Sequence, residues 1–337
     1  MIIPLFITHA GCPHQCVFCN QKNITGTSKP PDASSLHPSI SRFLKTRRDH
    51  DAVQVAFYGG SFTALPMASQ KKYLEAVRPF ITSGRVESIR LSTRPDAITP
   101  DILALVMQYH VRTIELGVQS MDDDVLSRSG RGHTSADTRK AFSLLREQGF
   151  TIGLQLMPGL PGDTPEKFQE TVIQVISLRP DFVRIYPALV IQGTPLADLY
   201  RTGRYTPLSL DDAVLLCHTA VARFEQAGIE VIRVGLQPTA ELERPGTIIA
   251  GPWHPAFRQL VESSRFLEKM CSLLSAGDKA CTVTVVVNPA DLSTVIGQKR
   301  RNIDTIKDRY GIDLKVLTDT RVQAGSISRC IPAQNGL

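Results

Sequence analysis

The stretch Ile3-Pro4-Leu5-Phe6-Ile7-Thr8, followed by Gly11-Cys12-Pro13-His14-Gln15-Cys16-Val17-Phe18-Cys19, decides how this chain is read. A short β-prone run opens into a loop carrying three cysteines in the spacing C-x3-C-x2-C. The other four of the seven cysteines, Cys217, Cys271, Cys281 and Cys330, are scattered. An odd count with one tight cluster argues for a metal or cluster site over disulfides. Three thiolates on one loop suit three corners of a 4Fe–4S cluster and leave the fourth iron open to an amine and a carboxylate. Zinc is the alternative, with His9 or His14 as fourth ligand. Three cysteines this close argue against three inert buried thiols.

Outward from this loop, apolar runs alternate with helical patterns. Strands are expected at Ile3–Thr8, Val53–Tyr58, Ser88–Ser92, Thr113–Val118, Thr151–Met157 and Phe182–Tyr186, with a seventh at Glu230–Val234. Helices are expected at Ala68–Ile81, Pro100–Tyr109, Ala136–Gln148 and Pro165–Leu178. Thr99-Pro100 and Thr164-Pro165 each place a capping hydroxyl before a proline at the first helical position. Such alternation predicts a parallel sheet, because every crossover needs a helix to return. Six units are too few for an eight-fold barrel, so a partial barrel or an open sheet follows. Ligands in such folds sit at the C-terminal strand ends. Here those ends are polar or glycine-rich: Tyr58-Gly59-Gly60, Ser92-Thr93-Arg94, Gln119-Ser120 and Met157-Pro158-Gly159.

Composition excludes other classes. Of 337 residues, 42% are hydrophobic and 21% charged, an ordinary globular balance that rules out disordered, collagen-like and disulfide-miniprotein chains. No apolar stretch approaches the roughly 20 residues of a membrane span. The N-terminus shows no signal-peptide pattern, and a cytoplasmic location is expected. The net charge of +6 is uneven, with nine Lys/Arg against five Asp from Lys279 onward. A basic C-terminal segment points to a polyanionic partner.

The cysteine spacing after the first strand of a parallel αβ repeat resembles the radical S-adenosylmethionine (SAM) superfamily over residues 1–235. Phe18 fits the aromatic found before the third cysteine. The resemblance implies a partial (β/α)6 TIM-like barrel, a 4Fe–4S cluster on Cys12, Cys16 and Cys19, and reductive cleavage of SAM to a 5′-deoxyadenosyl radical. It implies an external electron donor such as ferredoxin or flavodoxin. By the same resemblance Gly59-Gly60 matches the glycine pair that holds the SAM methionine amine. Gln119 matches a contact to the ribose region, and Arg131 a partner of the methionine carboxylate, which a guanidinium suits bidentately. Ser92 and Gln155 stand where relatives often carry ribose-binding carboxylates. Along the sixth strand Arg184 and Tyr186 alternate with Val183 and Ile185, and the polar pair is expected to border the substrate pocket.

Five phrases in order resemble the catalytic subunit family of Elongator, which modifies the tRNA wobble uridine. They are Ser92-Thr93-Arg94-Pro95-Asp96, Glu115-Leu116-Gly117-Val118-Gln119-Ser120, Arg131-Gly132-His133-Thr134, Met157-Pro158-Gly159-Leu160-Pro161-Gly162 and Arg184-Ile185-Tyr186-Pro187-Ala188-Leu189-Val190. That family has a longer gap between its first cysteines and an acetyltransferase domain, which is not expected here. An RNA substrate, a tRNA, is implied. Coproporphyrinogen oxidase-like proteins and haem-binding chaperones share the short gap and form the alternative branch.

Residues 236–278 read as a linker with a docking helix from Pro255 to Leu274, residues 279–320 as a small basic α/β domain, and 321–337 as a tail. Thr282–Val287 and Ile312–Leu317 are expected strands flanking two helical stretches. Between the helices, Gly297-Gln298-Lys299-Arg300-Arg301 resembles the GxxG loop of a KH module, with Arg300 in place of the second glycine. Such a loop grips a nucleic-acid backbone, which makes Gly297, Lys299, Arg300 and Arg301 the expected RNA contacts. The competing reading is a plain structural cap.

Overall fold

The computed structural model describes residues 1–25, 30–46, 52–274 and 282–330. The chain divides into two units, Met1–Ala213 with Ala220–Pro255, and Val214–Thr219 with Ala256–Leu337. Residues 275–281, which hold the end of the expected linker, the start of the expected small domain and Cys281, lie outside the described residues. So do residues 331–337 of the expected tail.

In the first unit the strands are β1 (Ile2–Phe6), β2 (Gln54–Tyr58), β3 (Ser88–Thr93), β4 (Val111–Gln119), β5 (Thr151–Leu156), β6 (Phe182–Ile185), β7 (Val190–Ile191), β8 (Glu230–Val234) and β9 (Ile248–Ala250). Seven of them form one sheet in the order β1-β2-β3-β4-β5-β6-β8. Every pairing in it is parallel. The strands between β1 and β6 are neighbours in sequence order, so each helical return advances the sheet by one strand. β1 and β8 are the two ends of the order, and the sheet is a curled half-barrel with an open seam. β7 and β9 form a separate antiparallel ribbon.

Period-two alternation explains how the sheet is clothed. In β4, Ile114, Leu116 and Val118 are fully buried on one face. Glu115, Gly117 and Gln119 take the alternate positions and line the lumen. Helices Met67–Thr82, Pro100–Met107, Ser135–Glu147 and Pro165–Leu178 lie between the strands, as their apolar spacing predicts. The expected caps are in place, since Thr99 accepts the Ile102 N–H and Thr164 the Lys167 N–H. The Phe182 ring lies where any side chain at Gly153 would sit, 2.2 Å from a Cβ built there.

In the second unit β10 (Thr282–Val287) is the central strand, parallel to β11 (Asp313–Thr318) and antiparallel to β12 (Ile327–Arg329). Helices Leu292–Ile296 and Arg301–Tyr310 separate β10 from β11. Val283, Val285, Val287, Val295, Ile306 and Ile312 form the core, to which helix Phe257–Ser272 adds Phe266 and Met270. β12 is invisible to sequence reading because three residues after a Gly-Ser stretch carry no usable period.

Candidate active site

The cysteine loop follows β1 at the C-terminal mouth of the sheet. Its path is pinned by backbone bonds, Val17 N–H to the Ser129 carbonyl at 3.0 Å and Leu196 N–H to the Val17 carbonyl at 2.8 Å. Gly60 lets the second strand approach it. A Cβ there would stand 2.5 Å from the Ala10 carbonyl and 2.7 Å from that of Ile7. The Gly59 carbonyl accepts the His9 N–H at 3.0 Å, so the pair builds the loop's floor.

Cys16 is buried and Cys12 and Cys19 are half-buried. Burial first, and then Cys16 and Cys12, push the Cys19 thiol up to about 12. Burial and Cys16 likewise raise Cys12. The three thiols thus sense one another, yet among the described residues no three His, Cys, Asp or Glu side chains close on a single metal ion. The His9 ring nitrogen Nε2 accepts the Gln21 N–H at 3.2 Å. Cys12, Cys16, Cys19, Cys217, Cys271 and Cys330 are all free thiols.

Arg131 enters from the loop before helix Ser135–Glu147. It is 6% exposed and donates to the Cys16 Sγ at 3.2 Å and to the Gly117 carbonyl. Its Nε is buried with no hydrogen-bond partner. No acidic side chain among the described residues pairs with it, so a surface salt bridge is excluded. Gly117 makes the room, since a Cβ there would stand 3.1 Å from Gln119 Nε2 and 3.3 Å from Arg131 Nη2. Gln119 ends β4 in the left-handed region at φ 69°, and its Oε1 accepts from Gln155 Nε2 at 3.3 Å.

Below these groups lies a buried polar network that sequence reading did not assign. Glu115, 5% exposed, receives Arg90 Nη1 at 2.9 Å, Tyr58 OH at 3.1 Å and Arg184 Nη2 at 3.2 Å, all on Oε1. Arg184 Nε stands 2.7 Å from Glu115 Oε2. That N–H is not aimed for a hydrogen bond, so the contact is an ion pair and the hydrogen bond runs through Nη2. Arg184 Nη1 donates to Tyr186 OH at 3.4 Å. Burial and then Glu115 hold the Tyr58 phenol protonated, above its usual range. The available signal was a lone carboxylate inside an apolar strand, at a lumen position by alternation.

A cavity of about 670 Å³ joins these parts. Cys12, Cys16, Phe18, Cys19, Gly59, Gly60, Ser92, Gln119, Arg131, Gln155, Arg184 and Tyr186 all line it. Arg94 lines it too, gripped bidentately by Asp96 at 2.9 Å. The expected RNA contacts are elsewhere, in the second unit. Gly297 is buried at φ 76°, while Lys299 and Arg300 are exposed and both left-handed, at φ 52° and 64°.

The radical SAM superfamily profile matches residues 6–175, and the Radical_SAM C-terminal domain profile matches residues 180–266. The chain belongs to the radical SAM superfamily, whose cofactors are a 4Fe–4S cluster and SAM. It is similar to the tRNA uridine(34) acetyltransferase of Methanocaldococcus infernus, 26% identical over 63% of this chain and 47% of the relative. It is 28% identical to human Elongator complex protein 3 over 61% of this chain and 46% of that protein. The chain thus spans about half the length of the curated relatives it matches. Among solved structures, the archaeal Methanocaldococcus infernus Elp3 with an N-terminal deletion shares the fold. The TM-score is 0.61 at 22% identity, over 80% of this chain and 63% of that one. Streptococcus suis SuiB bound to S-adenosylmethionine gives 0.52 at 14%, over 73% and 56%.

No helix among the described residues is long and apolar enough to cross a membrane.

Proposed function

We propose that this chain cleaves SAM reductively and uses the radical to modify tRNA, at the wobble uridine that the names of its relatives specify. The observation that carries the reading is the convergence on one cavity of three coupled thiols with a buried guanidinium whose Nε has no partner. Cys12, Cys16 and Cys19 would hold a 4Fe–4S cluster, which would supply the electron for reductive cleavage of SAM. Arg131 holds the methionine carboxylate. The glycine pair Gly59-Gly60 receives the methionine amine. Ser92, Gln119 and Gln155 face the ribose, and Phe18 walls the adenosyl side. Arg184 and Tyr186, fixed by Glu115 and Tyr58, orient the substrate and exclude water from the radical's path. Residues 1–235 do this chemistry in the cytoplasm with electrons from a ferredoxin or flavodoxin. Residues 279–320 grip the RNA through Lys299, Arg300 and Arg301, on the turn that the buried Gly297 opens.

Anaerobic reconstitution with dithionite and SAM tests the first half. Protein carrying about four irons that yields no 5′-deoxyadenosine would overturn it. Nucleoside analysis of bulk tRNA from a deletion strain tests the second half, and an unchanged wobble uridine would remove the tRNA assignment while sparing the radical chemistry.

A further inference from the structure

The lumen wall holds more positive charge than its own residues neutralise. Arg90 and Arg184 share the single carboxylate of Glu115. Next to them in the ladder is a third guanidinium, because Arg184 on β6 is the register partner of Arg233 on β8. Arg233 lines the same cavity and is half-buried. Among the described residues its side chain forms no hydrogen bond or ion pair. Three guanidinium groups therefore have one carboxylate among them, and two charges are left uncompensated in a partly desolvated wall. An uncompensated charge of this kind is costly unless a ligand supplies the counter-charge.

The position also matters. β8 is an end strand of the open sheet, so Arg233 stands at the seam of the half-barrel. Arg131, which the reading above gives to the SAM carboxylate, lies on the cysteine side, bonded to Cys16. Arg233 belongs to the opposite margin with Arg184.

We infer that Arg233 and Arg184 form a second anion subsite, which takes the carboxylate or phosphate ester of a small co-substrate that enters the lumen alongside the RNA base. A planar guanidinium fork binds such oxyanions bidentately. Arg184 is reached only from within the cavity, its side chain being 13% exposed. A compact terminal anion reaches it, whereas a phosphodiester in a chain brings two neighbouring nucleotides with it. The assignment of the ligand as a co-substrate rests on the function proposed above. The anion site itself does not.

The test is calorimetric titration of the full-length, cluster-loaded protein with malonate and, separately, inorganic phosphate. Arg233→Gln should weaken malonate binding by about ten- to a hundredfold, and Arg233→Lys by less, because charge survives without the fork. Saturating SAM, which occupies Arg131 by the reading above, should leave malonate affinity within about twofold, since the two anions have no partner in common. Labelling of wild-type protein with phenylglyoxal needs no variant. Malonate should protect Arg233 in the peptide mass map. No malonate binding, or binding lost at saturating SAM and kept in Arg233→Gln, would overturn the subsite. If an anticodon stem-loop RNA displaces malonate and loses the same factor on Arg233→Gln, the anion is RNA phosphate, and the small co-substrate is refuted. Iron content and SAM affinity, read on the same samples, report separately on the cofactor assignment.

Discussion

The Arg131 guanidinium donates to Cys16 Sγ across 3.2 Å, joining residues 115 positions apart in the chain. One buried cation thereby serves two neighbours, the thiol it touches and whatever anion reaches its free Nε. Arg131→Ala removes a charge-assisted contact worth roughly 1.5–3 kcal/mol, so SAM affinity should fall about ten- to a hundredfold. Equilibrium dialysis with labelled SAM reads this directly, and unchanged affinity would strip Arg131 of its cofactor role.

Cluster loading should depend on the loop cysteines alone. Cys12→Ala should abolish SAM cleavage and lower bound iron. Cys271→Ala should change neither, because Cys271 belongs to helix Phe257–Ser272 in the other unit. Iron assay and 5′-deoxyadenosine yield, measured together, decide it. Equal losses in both variants would mean the cluster is misassigned.

Glu115 is the counter-charge of two buried arginines. Glu115→Gln strands both, and breaking a buried pair from one side costs about 3–5 kcal/mol. Urea denaturation should show that loss. A midpoint within about 0.5 kcal/mol of wild type would mean that water already reaches the network.

Acid stability should report His133. Burial, then Arg131 and Arg94, lower its pKa to about 4 from the ordinary 6.5. The unfolded chain therefore binds a proton that the folded chain refuses between those values. Stability present above pH 6.5 is lost as the pH falls towards 4, by at most about 3 kcal/mol. His133→Gln should flatten that segment of the stability–pH curve. An identical slope in both proteins would show that His133 titrates normally.

The second unit offers a different test. Arg300 at φ 64° occupies a conformation that costs a side-chain-bearing residue about 1–2 kcal/mol. Arg300→Gly should thus hold or raise stability. Changing Lys299, Arg300 and Arg301 together to Ala should weaken tRNA binding and flatten its salt dependence, because fewer counterions are released. Filter binding at several salt concentrations reads both. Parallel slopes with equal affinity would leave the unit a structural cap.

Much of this molecule is legible in one dimension. The parallel half-barrel follows from strand–helix alternation and Thr-Pro caps, since local periodicity selects each element and handedness selects how consecutive elements join. The cysteine loop is legible because its three thiols lie within eight residues. Arg131, Gln119 and Gln155 could be named as cofactor contacts only through resemblance. That Gln119 and Arg131 meet depends on Gly117 leaving space between them, a fact of packing. The network of Tyr58, Arg90, Glu115 and Arg184 was not legible, because its members come from four strands spread over more than a hundred residues. Alternation says that Glu115 faces inward, but not which cation it meets. Register decides that, by setting Arg184 beside Arg233 and both in the lumen. Local sequence thus determined the elements and the cofactor loop. The curl of the sheet, which brings distant lumen positions into contact, decided the charge of the pocket.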